Sequence, residues 1–145
     1  MDVNIQSTIF NSNIGALLQN NHLPTSDIET GTEVLFFVAG SIQQPSGVVG
    51  IQVFGATALL RSLAVSESER GKGLATALVH YVEQHATSLG INSIYLLTTT
   101  AVQFFEAHGY STANRTDAPI SIAGTIQFSN LCPSSSALMV KVLRA

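Results

Sequence analysis

The chain has 145 residues and is 46% hydrophobic, which suits one domain, residues 1–145, with a single sizeable core. Only 10% of the residues are charged, the formal net charge is −3 and no basic patch or tail is present, so nucleic acid is not expected as a partner. No apolar run approaches the length of a membrane span, the first residues lack the segments of a signal peptide, and the single cysteine, Cys132, excludes an internal disulfide. We therefore expect a cytoplasmic protein with no membrane partner.

Short apolar runs bounded by turn residues fill the first part of the chain. Ser12 or Asn13 can cap a helix that Pro24 ends, and residues 25–29 form a further capped turn of helix. Residues 44–47, with a proline and a glycine, are predicted as the turn of a hairpin. Four strands are predicted in this part: residues 3–8, 34–39, 48–54 and 59–65.

The longest helical pattern follows the fourth strand. Its apolar residues recur every three or four positions, which places one face of the helix on a core. The residues on that face are Leu74, Leu78, Val82, Ala86 and Leu89. Gly90 stands where a left-handed residue would end the helix.

Between that strand and that helix lie residues 66–73, which we call the glycine loop. No Ser, Thr, Asp or Asn stands directly before the helix, and the positions are taken by Arg70, Gly71, Lys72 and Gly73. A helix N-terminus carries unpaired N–H groups and partial positive charge, and glycines let the backbone turn tightly and a ligand come close. The loop therefore predicts an anion site for a phosphate or pyrophosphate, and the alternative is an ordinary turn between strand and helix.

Two common phosphate motifs do not fit the glycine loop. It lacks the GxxxxGK[ST] pattern of a Walker loop, and Thr76 replaces the third small residue of a dinucleotide fingerprint. The next strand, residues 93–99, ends in threonines without the acidic residue that would bind a ribose. Residues 70–75 fit R/Q-x-x-G-x-G/A, and in this setting they resemble the acetyl-CoA loop of the GNAT acyltransferases.

The rest of the chain completes a mixed pattern. A short helix over residues 103–108 ends at Gly109, and residues 118–123 have both loop and helix character. The last strands are predicted over residues 110–114 and 138–143. This order predicts an α/β (α+β) fold, a mixed and mostly antiparallel sheet with a central βαβ unit and helices on both faces. It is similar to the GNAT fold over nearly the whole chain.

The resemblance implies where acetyl-CoA binds. In the family, two central parallel strands splay apart and the pantetheine pairs with the strand before the loop. The matching residues here are Leu63, Ala64 and Val65, and the pyrophosphate would meet the N–H groups of Arg70, Gly71, Lys72, Gly73, Leu74 and Ala75. The family motif N-x-x-A-x-x-L-Y-E-x-x-G-F corresponds to residues 98–110, which adds Thr98 and Phe105 to the cofactor site.

The resemblance also implies direct transfer of an acetyl group to the amine of a small molecule, without a covalent acyl-enzyme. The Val65 N–H is the family-like oxyanion donor, and Phe105 stands where the family often has the tyrosine that protonates the thiolate. Tyr95 is a candidate acid, with a core tyrosine as the alternative. Glu29 and Asp27 lie on the segment that often covers the acceptor, so each is a candidate base or a solvated capping residue.

Arg61 lies inside an apolar strand, in register with Leu59, Leu63 and Val65. Because a buried arginine needs a partner, it either pairs with an internal carboxylate or binds an acidic group of the acceptor. His80 and His85 are five positions apart rather than the four of a helical metal pair, so no metal site is expected.

A narrower resemblance concerns three runs: residues 60–65, residues 95–100 and Phe128-x-x-Leu131-Cys132-Pro133. Together they are similar to a GNAT subgroup encoded in arsenic-resistance operons, which implies a resistance or detoxification role. The last strands often build dimer contacts in the family, so monomer and homodimer both stay open. The alternative function is a non-catalytic acyl-CoA-binding or sensing module, because Phe105 has no proton to give.

Overall fold

The computed structural model describes residues 4–23, 25–29, 31–125 and 136–143. Seven strands lie in these ranges: β1 (Ile5–Thr8), β2 (Leu35–Gly40), β3 (Pro45–Phe54), β4 (Thr57–Val65), β5 (Ser93–Thr98), β6 (Ser111–Ala113) and β7 (Ala137–Val142). The α-helices there are α1 (Ser12–Asn20), α2 (Ser26–Glu29), α3 (Leu74–Ser88), α4 (Val102–Ala107) and α5 (Ile120–Ala123). None of the helices in these ranges has the length and apolarity that crossing a membrane requires.

The strands form one sheet in the order β1-β2-β3-β4-β5-β7-β6. Strand β4 pairs with β5 in parallel, whereas β1 with β2, β2 with β3, β5 with β7 and β6 with β7 are antiparallel. Helix α3 connects the two parallel strands and so completes a βαβ unit. The predicted mixed, mostly antiparallel fold is therefore confirmed.

The residues cluster into two compact units. The first contains Met1–Gln52 and Leu60–His85, and the second contains Val53–Leu59 and Ala86–Ala145. Each has its own buried side chains. The prediction that residues 1–145 act as one domain stays a prediction.

In the first unit, helices cover both faces of the sheet. Phe36 packs in a core cluster with residues of α1 and α2, among them Ile14 and Ile28. Phe37 contacts Tyr81 and His85 of α3, with ring centroids 5.3 and 5.0 Å away. Successive strand residues point to opposite faces, so α1 and α2 lie on one side and α3 lies on the other.

The second unit is built around β5. This strand pairs with residues 57–59 of β4 on one edge and with all of β7 on the other. Its alternate residues Ile94 and Leu96 are buried, which agrees with one face turned to a core. Phe105 of α4 is also buried and contacts the Tyr110 ring at 5.4 Å between centroids.

The predicted core face of helix α3 is buried except at its last residue. Four of its five predicted core residues are buried, but Leu89 is 53% exposed, so that part of the prediction is wrong. The helix ends at Ser88 because Gly90 has φ +82° and the Ile91 N–H donates to the Ala86 carbonyl at 3.0 Å. These features form a glycine C-cap, as predicted, and Leu89 lies beyond the last helical residue.

Two other local predictions are also corrected. The side chain of Asn11, rather than Ser12 or Asn13, caps α1 by accepting from the N–H groups of Asn13 and Ile14. The turn predicted at residues 44–47 is wrong because β3 already begins at Pro45, and Pro45 pairs with Gly40 across an irregularity in the ladder. Proline, which has no N–H to donate, is tolerated at the first residue of a strand and at an irregularity in the ladder.

Candidate functional site

The glycine loop connects the end of β4 to the start of α3 within the first unit. Gly71 and Gly73 have φ values of +81° and +82°, in the left-handed region that other residues rarely adopt. A Cβ atom added to either glycine would meet no other atom within 4 Å. The backbone conformation therefore requires these glycines, and the space above them is open to a ligand.

Helix α3 begins directly after that open space, at Leu74. Its first intrahelical bond runs from the Ala77 N–H to the Gly73 carbonyl at 3.1 Å, so the N–H groups before Ala77 have no acceptor inside the helix. No acidic residue occupies the first turn. The N–H groups of this first turn, the positive end of the helix dipole and two open glycines together fit a pyrophosphate.

Both cations of the loop are exposed. Arg70 donates from Nη2 to Oδ1 of Asn21 at 2.8 Å and from Nε to the Val65 carbonyl at 3.3 Å. The Nζ of Lys72 lies 3.5 Å from Oε1 of Glu69, and the Lys72 side chain is 52% exposed. The loop thus offers positive charge to solvent, and Arg70 also ties it to the end of α1.

Strand β4 has an irregularity at Ser62, where φ is +60°. Arg61 faces α2, and Ala64 packs in the cluster of α1 and α2 on the same side of the sheet. Residues three apart in a regular strand point to opposite faces, so the left-handed Ser62 acts as a bulge between them. The predicted register of Arg61 with Leu63 and Val65 is therefore wrong.

The bulge lies in the part of β4 that follows its ladder with β5. That ladder consists of three pairs and ends at Leu59 and Tyr95. Leu63, Ala64 and Val65 come after both the ladder and the bulge. They are the residues for which the sequence predicts pairing with pantetheine.

Arg61 forms a buried ion pair with Asp27. Its Nη1 and Nη2 donate to the two carboxylate oxygens at 2.5 and 2.8 Å, and the two side chains are 0% and 1% exposed. Nη1 also donates to Oε1 of Gln52 at 3.1 Å. Of the two alternatives for Arg61, pairing with an internal carboxylate is confirmed. Because the Asp27 side chain is buried, the alternative that Asp27 is a solvated capping residue is wrong. Acceptor binding by Arg61 stays a prediction, and it would require one of these partners to move.

Glu29 faces away from this pair. Glu29 is two positions after Asp27, which corresponds to a rotation of about 200° around a helix. Because the Asp27 side chain points to β4, the Glu29 side chain points away from β4. Its exposed carboxylate accepts from the Thr25 hydroxyl at 2.5 Å and lines an open pocket with residues of α1, among them Ala16 and Gln19. The structure therefore brings Glu29 to α1 and does not place Val65 in that pocket.

The other predicted site residues belong to the second unit. Tyr95 is half-buried on β5. The Thr98 hydroxyl accepts from the Ala101 N–H at 3.0 Å and so holds the turn before α4. Phe105 is 4% exposed and contacts the Phe104 and Tyr110 rings. Their roles in cofactor binding and catalysis stay predictions.

Part of the predicted pattern lies outside the described residues. The run Phe128-x-x-Leu131-Cys132-Pro133 falls wholly in residues 126–135. Two residues that the sequence reasoning missed, Gln52 and Ser62, lie next to Arg61. An apolar strand that contains a glutamine offered a signal for the first, and nothing in the sequence marks the backbone of the second.

Known proteins resemble this chain in sequence and in fold. A family model described as acetyltransferase (GNAT) family matches residues 10–110. N-acetylglutamate synthase from Neisseria gonorrhoeae, solved with coenzyme A and N-acetyl-glutamate, is 17% identical with a TM-score of 0.80, and the match covers 100% of this chain and 36% of that chain. This chain thus spans about a third of that enzyme's length.

Two further structures match along nearly their whole length. A GNAT-family acetyltransferase from Staphylococcus aureus is 17% identical with a TM-score of 0.73, covering 97% of this chain and 100% of that one. An acetyltransferase from Streptococcus agalactiae is 15% identical with a TM-score of 0.70, covering 96% and 98%. At these identities the structures show the shared fold alone. Because the family model matches most of the sequence, this chain belongs to the acetyltransferase (GNAT) family, whose co-substrate is acetyl-CoA.

Proposed function

We propose that this chain transfers an acetyl group from acetyl-CoA directly to the amine of a small molecule. The observation that carries the proposal is the glycine loop, with two left-handed glycines and open space directly before the N-terminus of α3. A pyrophosphate bound there would meet the N–H groups of residues 70–75. The exposed charges of Arg70 and Lys72 would add to its binding.

In this proposal, the end of β4 binds and orients the reacting part of the cofactor. Leu63, Ala64 and Val65 pair through their main chain with pantetheine, in the manner of an added strand. Acetyl-CoA supplies an acetyl group activated as a thioester. The Val65 N–H donates to the carbonyl oxygen as negative charge develops there, which lowers the barrier to attack by the amine.

The acceptor amine must lose a proton, and two carboxylates are considered as its base. Both oxygens of Asp27 accept from Arg61, so this group is engaged in the ion pair. Glu29 lines the pocket beside α1, which does not include Val65, so it would serve as base only for an acceptor whose amine extends from that pocket to the end of β4. An amine that arrives already neutral becomes cationic when it attacks, and it can then release its proton to water.

The biological setting is proposed from the sequence. The resemblance of residues 60–65 and 95–100 to the arsenic-resistance subgroup supports a role in resistance or detoxification. The net charge of −3 and the lack of a basic patch favour a small-molecule acceptor over nucleic acid. A cytoplasmic location and a monomeric or homodimeric state complete the proposal.

The proposal is tested by measuring thiol release from acetyl-CoA with a panel of small amines and amino acids. We expect release that depends on at least one amine and equals the amount of acetylated amine found by mass spectrometry. Incubation with acetyl-CoA alone should leave the intact mass of the protein unchanged, because transfer is direct. An acetylated protein would contradict direct transfer, and binding of acetyl-CoA without turnover on any amine would favour a binding or sensing module.

A further inference from the structure

The backbone of Ser62 adopts a conformation that its sequence does not favour. Its φ of +60° lies in the left-handed region, where glycine, asparagine and aspartate are common and other residues are rare. A residue keeps such a conformation only when the surrounding structure holds it there. The support for this bulge must therefore come from its neighbours.

The neighbour that is held most firmly is Arg61. Its guanidinium is bound by Asp27 of α2 through two hydrogen bonds and by Gln52 of β3 through a third. Its Nε lies 3.4 Å from the Ser62 hydroxyl oxygen. Arg61 is thus fixed from a helix and from a neighbouring strand at the residue that precedes the bulge.

We propose that Asp27 and Arg61, with Gln52, are positioning residues that hold the bulge at Ser62 and so orient the main-chain N–H groups of residues 63–65. This inference rests on the proposed function, in which these N–H groups bind acetyl-CoA and stabilise the oxyanion. Neither Asp27 nor Arg61 touches a reacting atom in this role. They act through the backbone.

The role has a physical reason. An oxyanion donor is effective only within a few tenths of an ångström of the position that the charged oxygen occupies. A strand whose bulge relaxed would shift these N–H groups by more than that, because a bulge re-aims the residues that follow it. A buried bidentate ion pair holds one geometry, which a single apolar contact does not.

The test uses a double variant, Asp27→Leu with Arg61→Met. It removes both charges together, so no buried charge is left unpaired and the volume is nearly kept. Ser62→Gly is combined with it, because glycine adopts a positive φ without support. Four proteins are compared: wild type, the double variant, Ser62→Gly and the triple variant.

The first readout is amide hydrogen exchange at residues 63–65, which does not depend on turnover. We expect the double variant to exchange there at least about tenfold faster than wild type, because the bulge opens locally. Ser62→Gly alone should stay near wild type, and the triple variant should recover most of the protection. The second readout is kcat for the amine found in the panel, which should fall by about tenfold or more in the double variant and recover in the triple.

Two outcomes would overturn the inference. Unchanged exchange and kcat in a folded double variant would show that the ion pair does not hold the bulge. Equal losses of protection and of kcat in the double and triple variants would show that the ion pair only holds α2 against β4. Ser62→Gly cannot restore that contact, whereas it can restore the bulge. If the double variant does not fold, Asp27→Asn with Arg61→Gln is combined with Ser62→Gly in the same comparison, because it also removes both charges and keeps polar side chains that can bond to each other and to Gln52. Absence of turnover in wild type would refute the proposed function but leave the exchange result valid.

Discussion

The side chain of Arg70 reaches from the glycine loop to Asn21, the C-cap of α1, where its Nη2 donates to Oδ1 of Asn21 at 2.8 Å. The Nδ2 of Asn21 in turn donates to the Leu17 carbonyl at 2.9 Å. The amide of Asn21 therefore connects the loop to the helix end. Arg70 has two tasks in this arrangement, which are to fix the loop and to present charge to a phosphate.

The two tasks are separable by mutation. Asn21→Ala should weaken acetyl-CoA binding by about fivefold or less, because an exposed charge-assisted bond contributes about 1 kcal/mol or less. Arg70→Met should weaken it more, since the charge is lost as well, and the difference should shrink as salt screens the site. Calorimetry at low and high ionic strength measures both. Equal effects of the two substitutions at every salt concentration would show that the charge of Arg70 plays no part.

The glycine loop itself is tested by Gly73→Asp. The new carboxylate would enter the open space before α3 and repel a pyrophosphate, so acetyl-CoA affinity should fall by at least about a hundredfold. Gly90→Asp is a matched control, because Gly90 has the same φ of +82° and also has no atom within 4 Å of an added Cβ. An aspartate is less favourable at a helix C-terminus than at an N-terminus, so the control is the more destabilised protein. Calorimetry that finds equal affinities for the two variants would place the pyrophosphate elsewhere.

Much of the fold could be predicted because it depends on local patterns. The apolar spacing of α3 and the left-handed Gly90 fix that helix within one residue of its observed end. The glycine loop was found in the same way, since two glycines and a missing cap are visible in sequence. Strand β5 was also predicted to within one residue, because it is a continuous apolar run between turn residues.

The details of the candidate site depend on contacts between distant residues, which no local pattern reveals. Asp27 and Arg61 are 34 positions apart, and nothing in the sequence links the two charges. The residue with positive φ in the bulge is Ser62 rather than a glycine, so the sequence does not indicate this backbone conformation. A regular alternation predicts that Leu63 and Val65 share the side of Arg61. The bulge shifts the alternation by one residue, so Ala64 lies on that side instead.

The buried ion pair also leads to a prediction about stability. Arg61→Met alone leaves the Asp27 carboxylate buried without its cation, which should lower the free energy of unfolding by about 3–5 kcal/mol. The same change combined with Asp27→Leu should cost much less, because both charges are gone. Denaturant unfolding measures the two proteins. Equal destabilisation would mean that packing of the arginine side chain, rather than an orphaned charge, accounts for the loss.

The last prediction concerns the proton that the leaving thiolate takes up. The motif match predicts that Phe105 stands where the family often has its tyrosine acid. Phe105 contacts the rings of Phe104 and Tyr110, and a phenylalanine has no proton to donate. A thiol has a reference pKa of about 8.5, so coenzyme A can leave as a thiolate with moderate help, and the positive charge of the glycine loop favours the anion. We therefore expect no essential acid, and Tyr95→Phe should lower kcat by about tenfold or less. Tyr81→Phe removes the hydroxyl of a tyrosine of α3 that is 38% exposed, and it serves as the control.

The measurements are kcat, acetyl-CoA affinity and Tm for both tyrosine variants. Tyr95 is half-buried, so loss of its hydroxyl should leave the packing of β5 nearly unchanged and Tm should differ little from wild type. Under those conditions a change in kcat reports chemistry rather than folding. A loss of several hundredfold in Tyr95→Phe, with affinity and Tm unchanged and with Tyr81→Phe fully active, would make Tyr95 the acid. A loss within tenfold would leave water as the proton source, because a solvent proton suffices for a leaving group of this pKa.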